Sequence, residues 1–128
     1  QSFTIVSPAS EQEQGERQFL RKILSKKAGL MRSAEDLKWL LDRFSRYRFP
    51  GQTQESIESD NIRLNGCVIA AAALLREETR GGHSRLEFSA RDDSLWRCHL
   101  VITYSKGNLN LHRSQKIYYS QEDLPKHY

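Results

Sequence analysis

The stretch from Ser56 to Arg80 limits the fold more than any other part of this sequence, because its pattern predicts one long helix. Apolar residues recur in it at helical spacing around four consecutive alanines. The small alanine side chains allow another helix or a sheet to approach closely, so we expect this helix to be buried on more than one side. Gly81 and Gly82 follow and are expected to end it. The apolar positions are Ile57, Leu64, Val68, Ile69, Leu74 and Leu75.

Two amphipathic helices are predicted before it. The first begins near Gln14 and ends at Gly29, a residue typical of helix termini. Ser33 followed by Asp36 is a variant of the capping box and predicts the start of the second helix, which Pro50-Gly51 ends. The short connection favours an antiparallel pair. The apolar faces consist of Phe19, Leu20, Ile23 and Leu24 in the first helix and Leu37, Leu40, Leu41, Phe44 and Tyr47 in the second.

The pattern changes after the glycine pair. Residues 83–95 are charged and irregular, whereas residues 96–104 alternate as a strand does, with Trp96 and Cys98 at its start. Residues 105–108 form a turn signal, and residues 109–113 return as the second arm of a β-hairpin. The polar residues from Lys116 to Tyr128 are expected to lie along the surface.

These elements predict a mainly α fold, in which a three-helix bundle is followed by a small β-hairpin and an irregular tail. The bundle is expected to be spectrin-repeat-like, with an up-down-up order. Residues 1–13 are assigned to a linker or extended arm and residues 14–82 to the bundle. Residues 83–128 are assigned to a loop, the hairpin and a tail packed on the bundle.

Length and charge narrow the functional classes. A chain of 128 residues suits one small domain, and it has no apolar run long enough to span a bilayer, which excludes an integral membrane protein. Because it begins with Gln1, we expect a fragment of a longer protein.

Two cysteines make no disulfide framework and favour a reducing, cytoplasmic location. The basic stretch from Arg17 to Arg32 is interpreted mainly as the solvated face of a helix, although the net charge of +4 also permits nucleic-acid binding.

Few residues indicate a catalytic site or a site for a metal or cofactor. The four histidines, His83, His99, His112 and His127, lack the spacing of a metal site. The glycine pair follows a helix, which is the wrong end for binding a phosphate. No serine or cysteine has a base partner that the sequence specifies. We therefore assign no catalytic, cofactor-binding or metal-binding residue to this chain.

Residues 76–88 are the exception, because they crowd three arginines, three glutamates and a histidine around a predicted helix end. Arginine suits the carboxyl end of a helix, but a solvated end does not require such a density of charge. Alternating charges of this kind favour buried, bidentate ion pairs against another protein surface.

The segment from Arg76 to Arg85, R-E-E-T-R-G-G-H-S-R, resembles the R-x-E-S-R-G-x-H-x-R signature of a flavoprotein family. The family comprises succinate dehydrogenases, fumarate reductases and L-aspartate oxidases, and the signature closes their last long helix. Asn61 stands where the family places an asparagine on that helix. Arg91-Asp92-Asp93, with Trp96 and His99, resembles the R-D-D-x-x-W-x-x-H continuation of the dehydrogenase and reductase members. Three positions depart from the family pattern: Thr79 replaces Ser, Glu87 replaces Asp and Ser89 replaces Pro.

Within the family, residues 20–24 and 28–33 resemble the first helix and the joining turn of L-aspartate oxidases. The resemblance implies a C-terminal helical domain of an enzyme that oxidises L-aspartate to iminoaspartate in de novo NAD synthesis. FAD would be bound outside this fragment, in an N-terminal flavin domain that a capping domain closes. Those two domains of the same chain are the implied partners, and quinolinate synthase is a candidate partner.

The resemblance also implies a role for six residues, which would fix the helix end and dock this domain on the flavin domain: Asn61, Arg76, Glu78, Arg80, His83 and Arg85. A docking face left exposed would make the fragment prone to self-association.

Three alternatives remain open. A succinate dehydrogenase or fumarate reductase flavoprotein would imply an iron–sulfur subunit and membrane association. A free-standing basic helical module would bind nucleic acid, although Glu35 and Asp36 would bring the wrong charge to phosphates. The third alternative is a protein-interaction domain with no ligand of its own.

Overall fold

The computed structural model describes residues 1–4, 17–47, 49 and 53–117, and these are mainly helical. Four helices lie in the described ranges: α1 (Arg17–Lys27), α2 (Ala34–Arg46), α3 (Gln54–Leu75) and α4 (Asp93–Trp96). The strands are β1 (Ser2–Thr4), β2 (Met31–Arg32), β3 (Ser84–Arg85), β4 (Leu100–Ser105) and β5 (Asn108–Arg113). The prediction of a mainly α chain with a small β-hairpin is confirmed, and β1 extends the hairpin to a small antiparallel sheet.

One hydrophobic core joins the first three helices. Helix α3 contacts both α1 and α2, as its run of small residues predicts. The closest approach is at Gly66, where a Cβ atom would lie 2.5 Å from two ring carbons of the fully buried Phe44. Glycine at this position therefore sets the spacing of α2 and α3. None of the helices in these ranges has the length and apolarity needed to cross a membrane.

The cap of α2 was predicted correctly, and the end of α3 was not. The Ser33 Oγ atom accepts a hydrogen bond from the Asp36 backbone N–H at 3.1 Å, as a capping residue does. Helix α3 begins at Gln54 after its N-cap Thr53 and ends at Leu75, five residues before Arg80. The predicted end was wrong because the charged residues after Leu75 make ion pairs and loop contacts instead of helical turns. Gln14, Pro50 and Gly51 lie outside the described residues.

The hairpin of β4 and β5 follows the predicted alternation. Ile102 pairs with Leu111, and the side chains of Leu109 and Leu111 are buried in the core. Lys106 and Gly107 form the two-residue connection with positive φ angles of 51° and 79°, as a type I′ turn requires.

Two segments differ from the local predictions. Trp96 belongs to α4, so the prediction of a strand that begins at Trp96 is wrong. The Asp92 carboxylate accepts hydrogen bonds from the backbone N–H groups of Ser94 and Leu95 and thereby starts a helical turn. Residues 2–4, in the segment assigned to a linker or arm, form β1 at the edge of the sheet beside β5. Residues 5–13 lie outside the described ranges.

A short parallel pairing connects two distant parts of the chain. Strand β2 lies in the connection between α1 and α2, and it pairs with β3, which follows α3. Met31 is opposite Ser84, and the backbone N–H of Leu86 donates to the Arg32 carbonyl at 2.8 Å. This pairing holds the segment that follows α3 against the corner between α1 and α2.

Candidate functional site

Glu78 is a fully buried carboxylate just beyond the end of α3. It accepts hydrogen bonds from Arg76 Nη1 at 2.7 Å and from Arg80 Nε and Nη2 at 2.8 and 3.2 Å. The backbone N–H of Asp92 donates a further bond at 2.8 Å. Burial alone would raise the pKa of Glu78, but the bonds from Arg80, Asp92 and Arg76 outweigh it and hold the pKa below its usual value. Glu78 is therefore a charged centre that joins two chain segments, residues 76–80 and the loop at Asp92.

Arg76 connects the end of α3 to the segment before β4. Besides its bond to Glu78, its Nη1 atom donates to the Trp96 carbonyl at 2.9 Å, and Nη2 donates to the Cys98 carbonyl at 2.7 Å. Its guanidinium also lies 5.5 Å from the centroid of the Trp96 ring, a cation–π distance. The contacts of this side chain fix α4 and its C-terminal residues against α3.

The network reaches the surface through Arg80, Asp93 and Arg91. Arg80 Nη2 donates to Asp93 Oδ1, and Arg91 forms a two-bond pair with the same carboxylate, at 2.9 and 2.8 Å. The bonds from Arg91 and Arg80 hold the pKa of Asp93 well below its usual range. The Arg91 side chain is 62% exposed, so this end of the network faces solvent.

Arg85 supplies the carboxyl end of α3 with a cation. Helix α3 has no basic residue in its last turn. The buried guanidinium of Arg85 takes that place, because Nη1 lies 2.8 Å from the Ala73 carbonyl and 2.9 Å from the Leu74 carbonyl. A cation at this end satisfies free carbonyl groups and interacts favourably with the helix dipole. The residue that caps α3 thus lies in β3, ten residues beyond the last helical residue.

His83 is held as a neutral imidazole between Arg32 and the Arg76 backbone. Arg32 Nη1 lies 3.1 Å from His83 Nδ1, and His83 Nε2 lies 2.9 Å from the Arg76 carbonyl. Because a guanidinium can only donate, Nδ1 accepts and the proton is on Nε2. Burial lowers the pKa of His83; the bond to Arg76 opposes this, and the charges of Arg32, Arg85 and Arg76 lower the pKa further. The net pKa lies below the ordinary value of 6.5.

Two residues that depart from the family signature, Thr79 and Glu87, make hydrogen bonds through their side chains. The hydroxyl of Thr79 donates to the Phe88 carbonyl at 2.6 Å and accepts from the Arg85 backbone N–H at 3.1 Å. Serine would carry the same hydroxyl. The Glu87 carboxylate accepts a hydrogen bond from the Ala34 backbone N–H at the start of α2, where a negative charge suits the helix dipole.

The structure brings five of the six predicted residues together at the end of α3: Arg76, Glu78, Arg80, His83 and Arg85. Asn61 is exposed on α3, 15 residues before Arg76, which corresponds to roughly 22 Å along a helix axis. It does not join the cluster.

Sequence reasoning missed Arg32, which was assigned to a solvated helix face. That assignment was wrong because Arg32 donates to His83 and to the Gly29 carbonyl at 2.8 Å. Its position after Gly29, beyond the end of the first helix, was the available signal. Asp93 was also missed as the link between Arg80 and Arg91, although it belongs to the quoted R-D-D motif.

The glycine pair does not fit the pyrophosphate of an FAD. Gly81 and Gly82 follow the carboxyl end of α3, where the helix presents carbonyl groups, and Arg85 already bonds to these. A dinucleotide pyrophosphate needs the N–H groups of a helix amino end. Over the same residues, no group of three or more histidine, cysteine, aspartate or glutamate side chains is placed to hold a metal ion.

A family model and the similar known proteins indicate the same family. Residues 45–123 match the family described as fumarate reductase flavoprotein C-term. An L-aspartate oxidase of Streptomyces coelicolor is 35% identical over 95 residues, which is 65% of this chain and 16% of that protein. A succinate dehydrogenase flavoprotein subunit of Coxiella burnetii is 30% identical over 99 residues, 66% of this chain and 17% of that protein. The chain thus spans about a sixth of the length of these relatives.

Solved structures share the fold at lower identity. The Sdh1 complex of Mycobacterium smegmatis in the apo form superposes with a TM-score of 0.60 at 22% identity, over 86% of this chain and 22% of that chain. The quinol fumarate reductase of E. coli superposes with a TM-score of 0.58 at 21% identity, over 97% of this chain and 24% of that chain. At these identities the likeness is one of fold.

Replacement of Glu78 by Gln tests the buried charge. Glu78→Gln keeps the shape but removes the charge that Arg76 and Arg80 share. We expect the free energy of unfolding to fall by about 3 kcal/mol, the lower end for a broken buried pair, because both guanidinium groups are partly exposed. Urea denaturation measures this change. Glu77→Gln alters the exposed neighbouring glutamate and should stay within about 0.5 kcal/mol of the parent. Equal losses in the two variants would contradict this interpretation.

Acidification tests the neutral state of His83. Its folded pKa lies below 6.5, so beneath that pH the unfolded chain binds a proton that the folded chain does not. The free energy of unfolding should therefore decrease as the pH falls from about 6.5 through the lower folded pKa. His83→Gln should remove this part of the pH dependence.

Thermal unfolding at pH 7.5 and 5.5 provides the measurement for His83. His112→Gln changes an exposed imidazole on β5 and serves as the control, which should keep the pH dependence of the parent. If His83→Gln and the parent lose the same stability on acidification, the imidazole is not the group that responds.

Proposed function

Because the chain belongs to the C-terminal family of fumarate reductase flavoproteins, we propose that it is the C-terminal domain of an FAD-dependent L-aspartate oxidase. The observation that carries the proposal is the likeness to the Streptomyces coelicolor L-aspartate oxidase. It extends over nearly the same length as the likeness to the Coxiella burnetii dehydrogenase subunit and has the higher identity. A second L-aspartate oxidase, from Caulobacter vibrioides, is 38% identical over 79 residues.

The whole enzyme would oxidise L-aspartate to iminoaspartate, the first step of de novo NAD synthesis, in the cytoplasm. FAD would be bound by the part of the enzyme outside these 128 residues, and this domain would be inactive alone. Nucleic acid and membrane have no part in the proposal, and quinolinate synthase is its candidate downstream partner.

The role proposed for this domain is to dock on the flavin and capping domains of the same enzyme. Glu78 and Arg85 are buried within the chain, so their part is to fix the end of α3. Arg80 is partly exposed and is linked to the exposed Arg91, so this side of the cluster is available to another domain. In this proposal the three long helices, α1, α2 and α3, follow one another in an up-down-up order.

A second candidate is the C-terminal domain of a succinate dehydrogenase or fumarate reductase flavoprotein. One observation favours it: the mitochondrial succinate dehydrogenase flavoprotein subunit of rice is 42% identical over 45 residues, a higher identity over a shorter stretch. This candidate would bring an iron–sulfur subunit and a membrane as partners.

The two candidates differ in the substrate that reduces the flavin. We expect the full-length product of the gene that encodes this segment to be yellow, and its flavin absorbance band to be bleached by L-aspartate and not by succinate. Absorbance spectra recorded without oxygen test this. Bleaching by succinate alone would support the second candidate, and a colourless product would contradict both.

Arg80→Ala in that full-length protein tests docking. Loss of the partly exposed guanidinium should weaken the contact between domains, so we expect several-fold more flavin to be lost on gel filtration. Arg21→Ala, which changes an exposed arginine on α1, is the control and should retain flavin as the parent does. Unchanged flavin retention and unchanged thermal stability in Arg80→Ala would contradict the docking role.

A further inference from the structure

A positively charged cleft lies beside the Glu78 cluster, and its lining includes Arg80 and Arg91, which the proposed docking also uses. It has a volume of about 460 Å³. Its described lining includes no carboxylate, and it is formed mainly by four arginines with an indole and an imidazole: Arg76, Arg80, Arg91, Arg97, Trp96 and His99. The residues come from the turn after α3, from the loop before α4, and from α4 and the segment that follows it.

Carboxylates behind the cleft hold its guanidinium groups in position. Glu78 binds Arg76 and Arg80, and Asp93 binds Arg80 and Arg91. Three guanidinium groups against two carboxylates leave a net charge of +1 on this chain of ion pairs. The cleft therefore offers oriented donors with a surplus of positive charge, and their positions are already fixed before a ligand arrives.

Among the described residues, no hydrogen-bond acceptor lies within reach of two of these donor groups. A guanidinium carries five N–H bonds. Arg80 uses Nε and Nη2, and Arg91 also uses Nε and Nη2, for the carboxylates. Within the part of the chain that the structure describes, Nη1 of each has no hydrogen-bond acceptor, and both side chains line the cleft.

We propose that this cleft binds a single oxyanion group, a carboxylate or a phosphate, through Nη1 of Arg80 and Arg91. Planar guanidinium donors match the oxygens of both groups. A nucleobase is not accommodated, because the Trp96 ring is 6% exposed and already contacts the guanidinium groups of Arg76 and Arg113 at 5.5 and 5.2 Å.

Titration of this chain with inorganic phosphate, and separately with acetate, tests the proposal. The arginine Nε–Hε signals are followed by NMR at a constant ionic strength set with chloride. We expect saturable shifts at Arg80 and Arg91. Arg91→Gln should weaken binding about tenfold, because it removes one charge-assisted donor group, and Arg91→Lys should fall between. Arg21→Gln on α1 removes an equal charge elsewhere and should bind as the parent does.

The outcomes separate a phosphate ligand from a carboxylate ligand and can overturn the site. Tighter binding of phosphate supports a dissolved phosphate compound, whereas equal or tighter binding of acetate supports a carboxylate. Shifts that do not saturate, or affinities equal in Arg91→Gln and Arg21→Gln, overturn the proposal. Arg91 is mostly exposed, so its substitution leaves the core intact, and a circular dichroism spectrum checks this. The titration involves no flavin, so its failure would leave the assignment to an L-aspartate oxidase unaffected.

Discussion

The arrangement beyond α3 depends on one buried carboxylate, that of Glu78. A charge removed from water is tolerated only when donors surround it, and here the donors are two arginines and the backbone N–H of Asp92. These groups lie before, within and after the turn at the glycine pair. The need to satisfy one carboxylate therefore brings two stretches of chain, residues 76–80 and the loop at Asp92, to one point. Arg85 then closes the end of the helix beneath them.

Local patterns predicted the elements whose stability is local. The capping residue Ser33 and the two-residue turn at Lys106 and Gly107 were predictable. Short-range hydrogen bonds and positive φ angles restrict which residue types occur at neighbouring positions. The end of α3 and the helical turn at Trp96 were not found. In α3 the deciding partner is Arg85, ten residues beyond the helix, and at Trp96 it is the cap provided by Asp92. The spacing of apolar residues contains no information about partners such as Arg85 and Asp92.

The sequence predicts which residues make up the candidate site, but it does not predict how they are arranged. The family signature contains Arg76, Glu78, Arg80, His83 and Arg85, which lie together in the structure, and their docking role stays a prediction. Charge density alone could not say which of them are buried. Glu78 and Arg85 proved to be interior, and Arg80 lies at the border. The contact of Arg32 with His83 could not be inferred, because the two residues are 51 positions apart and meet only through the pairing of β2 with β3.

The pairing of β2 with β3 has a consequence for the order of folding. Met31 and Ser84 are 53 residues apart, so closing that loop costs chain entropy that is repaid only when both segments are already in place. The turns of α1, α2 and α3 need no such closure. The charged end of α3 is therefore assembled late, on helices that already exist. A chain emerging from the ribosome must release Arg85, ten residues beyond the end of α3, before its longest helix acquires its cap.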